Sequence, residues 1–416
     1  MTDKGGGNNV KIFLSHNPAG VGGKGYAGTR NPNERVATFE GTLTLHGITT
    51  KNNTNVLVGV EHQLWGEQFS STDGNNPQSN STFLNKGKII IESGNNVIGI
   101  MIDSEKMSDD TRKAHKTINE GLIHLEKNSS NSIGIDYGQF NDQLFKSDLT
   151  IGNIIVDGTG NYGLRMKNIF SANPAYFDKG VTIKSGGTDK KILVQGKENV
   201  GVSIAKFLSS ANNANPIANI SDLNIEVAGE KNIGFLRHKT YANNTGDMIF
   251  DATTMGKFIF GNGAKDSTLI RTDKYGIQVK KDITATGKDT DGNDYIGNGN
   301  TVLHSNGETQ HIHNYNTITI GKGYSKTVGM AATGTVASKI DNIVNEGTIS
   351  LQGKQSIGMY VDQFTKGKST GSIKLSALGD IDPSGNIGDA ENVGISNKGK
   401  FTFLGDIEVN GKKSSG

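Results

Sequence analysis

Apolar and polar residues trade places along this chain in short runs of about four to six residues, each closed by glycine, asparagine or another turn former. The stretch NEGTISLQGKQSIGMYVD at 345–362 shows the pattern in compact form. In GTISLQ, Ile349 and Leu351 point to one side and Thr348 and Ser350 to the other, the period of a half-buried strand. In SIGMYV, Ile357, Met359 and Val361 share a face. Gly358 is expected on the opposite side, where it permits a bend or a close backbone approach.

Both halves of the stretch recur. The second half returns as NVLVGVEH (55–62), NVIGIMID (96–103), NSIGIDYG (131–138), NYGLRMKN (161–168), NVGVSIAK (199–206), NIGFLRHK (232–239), YGIQVKKD (275–282), TVGMAATG (327–334) and NVGISNKG (392–399). The glycines shared by the set are Gly59, Gly99, Gly134, Gly163, Gly201, Gly234, Gly276, Gly329, Gly358 and Gly394, at a mean interval of about 37 residues. The first half returns as GTLTLHG (41–47), GKIIIESG (87–94), GLIHLEK (121–127), GNIIVDG (152–158), LNIEVAG (223–229) and NTITIGKG (316–323). One unit therefore reads as a short strand, Gly or Asn, an alternating strand, a polar corner, a glycine-containing strand and a variable excursion.

A unit this small cannot bury its apolar side alone, but stacked copies can, with corner asparagines bonding from coil to coil. The expected fold is all-β. It is a right-handed parallel β-helix, a solenoid of about ten coils with loop or short-helix insertions. A β-sandwich or propeller is the alternative. A propeller fits poorly, because the intervals run from 29 to 53 residues and the chain holds a single tryptophan.

Composition narrows the picture further. Only 33% of the residues are hydrophobic and 6% aromatic, while 57 are glycine and about 44 asparagine, which suits many tight corners. The 43 basic and 41 acidic residues are well mixed, for a net charge of +2. No basic stripe stands out, so no nucleic-acid partner is expected. The absence of cysteine excludes disulfides, thiolate metal sites and cysteine nucleophiles. No apolar run reaches the roughly 18 residues of a membrane-spanning helix. Residues 1–35 are glycine-rich and off-pattern, and read as an N-terminal cap or edge segment. Residues 36–416 read as the solenoid, a piece of a longer chain.

The excursions almost always follow the glycine strand, so they should line one corner. The 103–116 segment has the marks of a short helix, with Ser108 as cap and Asp109 and Asp110 in the first turn. Many excursions carry aromatics, among them Phe140, Phe145, Phe177, Phe207 and Phe364. Trp65, Phe69, Phe170 and Tyr241 are the candidate ligand-contacting residues. The plainer reading has most such rings folding back over their own coil.

Catalytic chemistry is thin. DTDGNDY (289–295) resembles a calcium loop, but its glycine is fourth and position twelve is Asn300, so a polar turn is the simpler reading. His304, His311 and His313 lie close in sequence, but no carboxylate or cysteine is close enough to make a convincing metal set with them. Asp103, Asp136 and Asp362 occupy similar places after the glycine strand and read as a solvated rim of like charges. No metal, cofactor or catalytic residue is expected.

The pattern N-x-G-x-I-x-[LI] followed by N-[SV]-[IV]-G-[IM] is carried by Asn119, Gly121, Ile123, Leu125, Asn131, Ile133, Gly134 and Ile135. It is carried again by Asn345, Gly347, Ile349, Leu351, Ile357, Gly358 and Met359. It resembles the passenger repeats of large fusobacterial-type outer-membrane autotransporter adhesins of type Va, RadD-like adhesins among them. The resemblance covers roughly residues 36–416. It implies a non-catalytic passenger fragment displayed on the bacterial cell surface by a C-terminal β-barrel outside this chain. It implies attachment to a host cell-surface receptor or glycan, or to a partner bacterium. No binding residue carries over, because the motif positions are structural. A carbohydrate-active β-helix enzyme and a passive stalk are the alternatives.

Overall fold

The computed structural model describes residues 11–13, 35–47, 56–64, 81–104, 114–137, 146–166, 181–204, 218–238, 247–251, 255–273, 275–307, 310–376, 389–410 and 412–416. Among them every regular element is a strand, and the strand pairings are parallel and stacked in register, which makes the fold a parallel β-helix. The expected helix at 103–116 falls mainly on residues outside this set. The chain divides into two compact units, Met1–Ile192 with Ala205–Ser221, and Leu193–Ile204 with Asp222–Gly416.

In the first unit each coil gives one strand to each of three sheets. One coil runs Ser81–Asn85, Lys88–Asn95 and Val97–Ser104, and the next Ala114–Asn119, Leu122–Ser130 and Ile133–Tyr137. We call these the first, second and glycine faces. The alternation seen in the sequence becomes a stack of identical positions. Ile89, Ile123 and Ile154 are register partners on successive coils, as are Ile91, Leu125 and Val156. All six are fully buried, and each such side chain contributes roughly 1.5–3 kcal/mol relative to exposure.

The second unit repeats the plan. Its glycine face holds Val200–Ile204, Ile233–Arg237, Thr268–Thr272, Thr301–Asn306, Val328–Thr333, Ile357–Val361 and Val393–Asn397. Its first face holds Met248–Phe250, Gly276–Val279, His311–Asn314, Ile343–Asn345, Lys366–Ser369 and Lys400–Phe403. Gly276 thus belongs to the first face and not to the glycine column, a correction to the sequence reading. The column passes instead from Gly234 through Leu269 and Val302 to Gly329. Both substituting side chains are fully buried. The interior in this part of the unit is also its most aromatic, with Phe250 edge-on to Phe235 at 4.9 Å and Tyr324 against Phe260 at 5.9 Å.

Gly358 faces the interior rather than away from it. A Cβ there would lie 2.6 Å from the Gly394 carbonyl oxygen of the next coil and 2.9 Å from Cγ2 of buried Ile373. Met359 and Val361 also point inward, whereas Ile357 is half-buried. Strict alternation is broken at the glycine, so two successive residues turn inward and the coils approach closely.

The corner ahead of the glycine face carries a polar ladder. Backbone N–H groups of Ser132, Asn199, Asn232, Ser267, Thr327 and Ser356 donate to side-chain oxygens of Asn161, Asn232, Ser267, Asn300, Ser356 and Asn392 on the next coil, at 2.7–3.2 Å. Ser414 extends the ladder by accepting from Asn392 at 3.2 Å. The residue before each ladder position has positive φ, and most are not glycine: Asn131, Glu198, Lys231, Asp266, Lys326, Gln355, Glu391 and Lys413, at 47–56°. Left-handed backbone costs a side-chain-bearing residue about 1–2 kcal/mol, which the bonded corner offsets. At the corner between the first and second faces, Asn85 donates to Asn119 at 2.6 Å and Asn314 to Asn345 at 2.8 Å. Both corners bear out the expected coil-to-coil asparagine bonding.

Candidate functional site

The four residues singled out for ligand contact, Trp65, Phe69, Phe170 and Tyr241, lie outside the described residues, as do Phe140, Phe145, Phe177 and Phe207. Phe364 is described, and it sits at the insertion corner between the glycine face and the first face of the second unit. Around this corner and along the first face, the described part of that unit gathers its densest exposed chemistry.

Two histidine–carboxylate pairs come first. His311 and His313 share the outer side of one strand, as their spacing requires. The structure brings each a carboxylate from elsewhere in the chain. His311 Nε2 lies 3.0 Å from Asp247 Oδ2, and His313 Nε2 lies 3.0 Å from Glu346 Oε1. Gln278 Nε2 donates to the same Asp247 oxygen at 2.8 Å. Burial alone would raise the Asp247 carboxyl, but the bonds from His311 and Gln278, with the charges of His311 and Arg237, outweigh it and hold it below its ordinary value. Burial lowers His313, against the opposing pull of Glu346. His313 stacks on Tyr315 at 3.9 Å, and the Lys280 ammonium lies 5.3 Å from the same ring. Arg237 is almost fully buried, donates to the Gly276 carbonyl and lies 5.1 Å from the Tyr275 ring. Burial brings its guanidinium down to about 10, against the opposing pull of Asp247 and Tyr275.

At the corner itself a polar clamp ties successive coils together. Arg271 Nε donates to Asp273 at 2.6 Å, Asn306 donates to the same oxygen at 3.0 Å, and Thr333 Oγ1 donates to Asn306 at 3.3 Å. His304 Nε2 lies 2.8 Å from Thr333 Oγ1. Burial, and then the Arg271 charge, push His304 down to about 4, although Asp273 and Asp362 oppose the shift. The imidazole is therefore neutral at physiological pH. His304 lies on the glycine face, apart from the strand of His311 and His313.

No family model matches the chain, and no curated protein or solved structure matches it.

The remaining sequence expectations sort as follows. Asp136 and Asp362 do not form a solvated rim of like charges. Asp136 is buried and takes a two-point ion pair from Arg165 on the next coil, at 3.0 and 2.8 Å. Asp362 lies one strand position beyond Val361 and accepts the backbone N–H groups of Gly334 and Phe364, at 2.7 and 2.9 Å. The side chain of Asp103 lies outside the described set. DTDGNDY is a turn organised by its first residue: Asp289 accepts from the backbone of Asp291 and Asn293 and from the Asn293 side chain, at 2.8–3.0 Å. Its oxygens are spent on these donors rather than turned toward a cation. Among the described residues no three His, Asp or Glu side chains are grouped to hold a metal ion.

Of a third feature the sequence reading held only Phe364. Beyond the histidine pairs, the corner exposes Val336 (55%), Ile340 (39%) and Phe364 (37%). Lys339 lies in the same segment as Val336 and Ile340, Lys366 and Lys368 lie on the strand that follows Phe364, and Lys398 and Lys400 lie on the next coil. Lys366 and Lys400 are register partners on adjacent strands, and Lys366 Nζ donates to the Lys339 carbonyl at 3.2 Å. Their positions in the chain are scattered, so only the coil register could have revealed the group.

Proposed function

We propose that this chain is part of a bacterial surface adhesin, a non-catalytic attachment scaffold that meets a host cell-surface receptor, a glycan or a partner bacterium through its corner insertions. Display at the outer membrane by a C-terminal β-barrel is part of the same reading. The observation that carries it is a division of labour. The glycine, isoleucine and asparagine columns are spent on stacking, while variable and chemically rich positions collect at the insertion corner and the first face. That division suits a scaffold which presents different side chains on one repeated backbone. The best-defined acid–base contact, Asp247 with His311, also fits structure better than catalysis. Its carboxyl is held ionised by two partners, whereas a general acid needs the reverse.

Beads coated with the chain should adhere to host cells or to other bacteria. Removal of residues 65–80 or 167–180, the parts of those excursions that follow the strands ending at Leu64 and Met166, should reduce that adhesion while leaving the melting temperature of the solenoid within a few degrees. Full adhesion by both deletions would leave only a passive spacer.

A further inference from the structure

We propose that the corner formed by residues 334–342, 362–368 and 398–400 is a docking surface for an acidic polypeptide segment that also carries apolar side chains. This rests on the attachment role proposed above and gives its partner a chemistry.

The apolar side chains are presented by a fixed backbone. Ser338 N–H donates to the Phe364 carbonyl at 2.8 Å, and Ile340 N–H donates to Ser338 Oγ at 3.2 Å. Asp362 pins both sides of the corner through Gly334 and Phe364. Val336, Ile340 and Phe364 are thus held outward at a site whose backbone is already bonded.

The cations are equally committed to the surface. Lys366 and Lys368 alternate with buried Gly367 and Ser369, so both project outward from the first face. Register places Lys400 beside Lys366, and Lys339 and Lys398 flank them. Among the described residues none of the five forms an ion pair, whereas Lys374, Lys412 and Lys413 all do. Asp341 is the exposed carboxylate of the segment, and both oxygens of Asp362 are engaged by backbone donors. Among the described residues the corner is left with a surplus of positive charge beside its exposed apolar side chains.

That combination selects among anionic partners. A sulfated or sialylated glycan, or a nucleic acid, brings the negative charge but no side chains to cover Val336, Ile340 and Phe364. A lipid surface brings apolar matter only behind its headgroups, and Ile340 and Phe364 are each more than half buried against their own corner. An acidic segment with apolar or aromatic side chains supplies both at one depth.

The test titrates the whole chain, at about 0.15 M salt, with a glutamate–tyrosine copolymer, polyglutamate, heparin, single-stranded DNA and phosphatidylserine vesicles. The copolymer should bind about tenfold or more tighter than each of the others. The double variant Lys366→Glu/Lys400→Glu should weaken it by about tenfold or more. Phe364→Ser should remove the advantage of the copolymer over polyglutamate. Should the strand variant lose its cooperative melt, Lys339→Glu/Lys398→Glu makes the same reversal outside the strands. Tightest binding by heparin, DNA or vesicles would overturn the proposal, as would copolymer binding that ignores the lysines. Attachment to cells that survives the charge reversals would overturn it too, while leaving the adhesin reading intact. Failure of the unaltered chain to attach to any cell would instead remove the adhesin reading.

Discussion

Two stretches of the same face treat charge in opposite ways. Around the strand His311–Asn314 the titratable side chains are matched across coils: His311 with Asp247 and His313 with Glu346, with Gln278 also on the Asp247 carboxylate. Between Lys339 and Lys400, five lysines stand on equivalent strands and corners without a carboxylate partner among the described residues. The backbone beneath is the same ladder. Ile312 pairs with Ile277 and Ile343 under the first stretch, as Gly367 pairs with Ile343 and Phe401 under the second. The scaffold therefore does not dictate what its outer side carries. Matched groups hold coils to one another, and unmatched groups are free for something else.

Breaking the matched stretch should have the largest effect on stability. Asp247→Ala leaves His311 and Gln278 without their acceptor and removes a compensating charge from buried Arg237. A loss of about 1–3 kcal/mol is expected, read as a lowered urea midpoint with an unchanged slope. Asp247→Asn keeps an acceptor for Gln278 but not the charge, and should fall between. An unchanged midpoint for both would make the matched pairs ornamental.

Acid should separate the stretches next. His304 titrates at about 4 in the folded chain against an ordinary 6.5. The unfolded chain binds this proton first, so the contribution of the neutral imidazole is fully present above 6.5 and is lost as pH falls from there through about 4. His313 is shifted in the same direction and adds to the loss. Asp247 acts at lower pH. Its depressed carboxyl stabilises the fold above its ordinary 3.8 and gives that up only as pH falls through the folded value. The melting temperature should decline between pH 6.5 and 4, and His304→Gln should flatten the decline. The lysine corner contains no histidine, so Lys366→Gln/Lys400→Gln, which adds no group that titrates in this range, should leave the shape of that pH curve unaltered.

Much of this architecture is written locally. Ile349, Leu351 and Gly358 announce a coil because alternation and a turn former fit within a dozen residues. The same local rule miscounts where YGIQV imitates a glycine strand, and it passes over TLIRT and TVLHSN, whose Leu269 and Val302 fill the glycine slot. The orientation of Gly358 was also invisible, because strict alternation is what the inward glycine breaks. The outer chemistry was harder still. Asp247 and His311 lie 64 residues apart, and coil length varies, with ladder partners separated by 22 to 36 residues. No fixed period could have aligned those two side chains, or set Lys366 beside Lys400.

The smallest effect on stability is expected at the lysines, and it is the most discriminating. An exposed side chain with no ion pair gives up little when its charge is removed, so Lys366→Gln/Lys400→Gln should shift the unfolding free energy by no more than about 0.5 kcal/mol. Two like charges on adjacent strands repel, and relief of that repulsion could make the change slightly favourable. The urea midpoint should therefore stay level or rise. A clear fall would mean that these ammonium groups already serve the fold, as Asp247 does, and the contrast between the two stretches would collapse. A level or rising midpoint would mean that the positive charge at this corner persists without helping the chain to fold, which is the position expected of a surface kept for a partner.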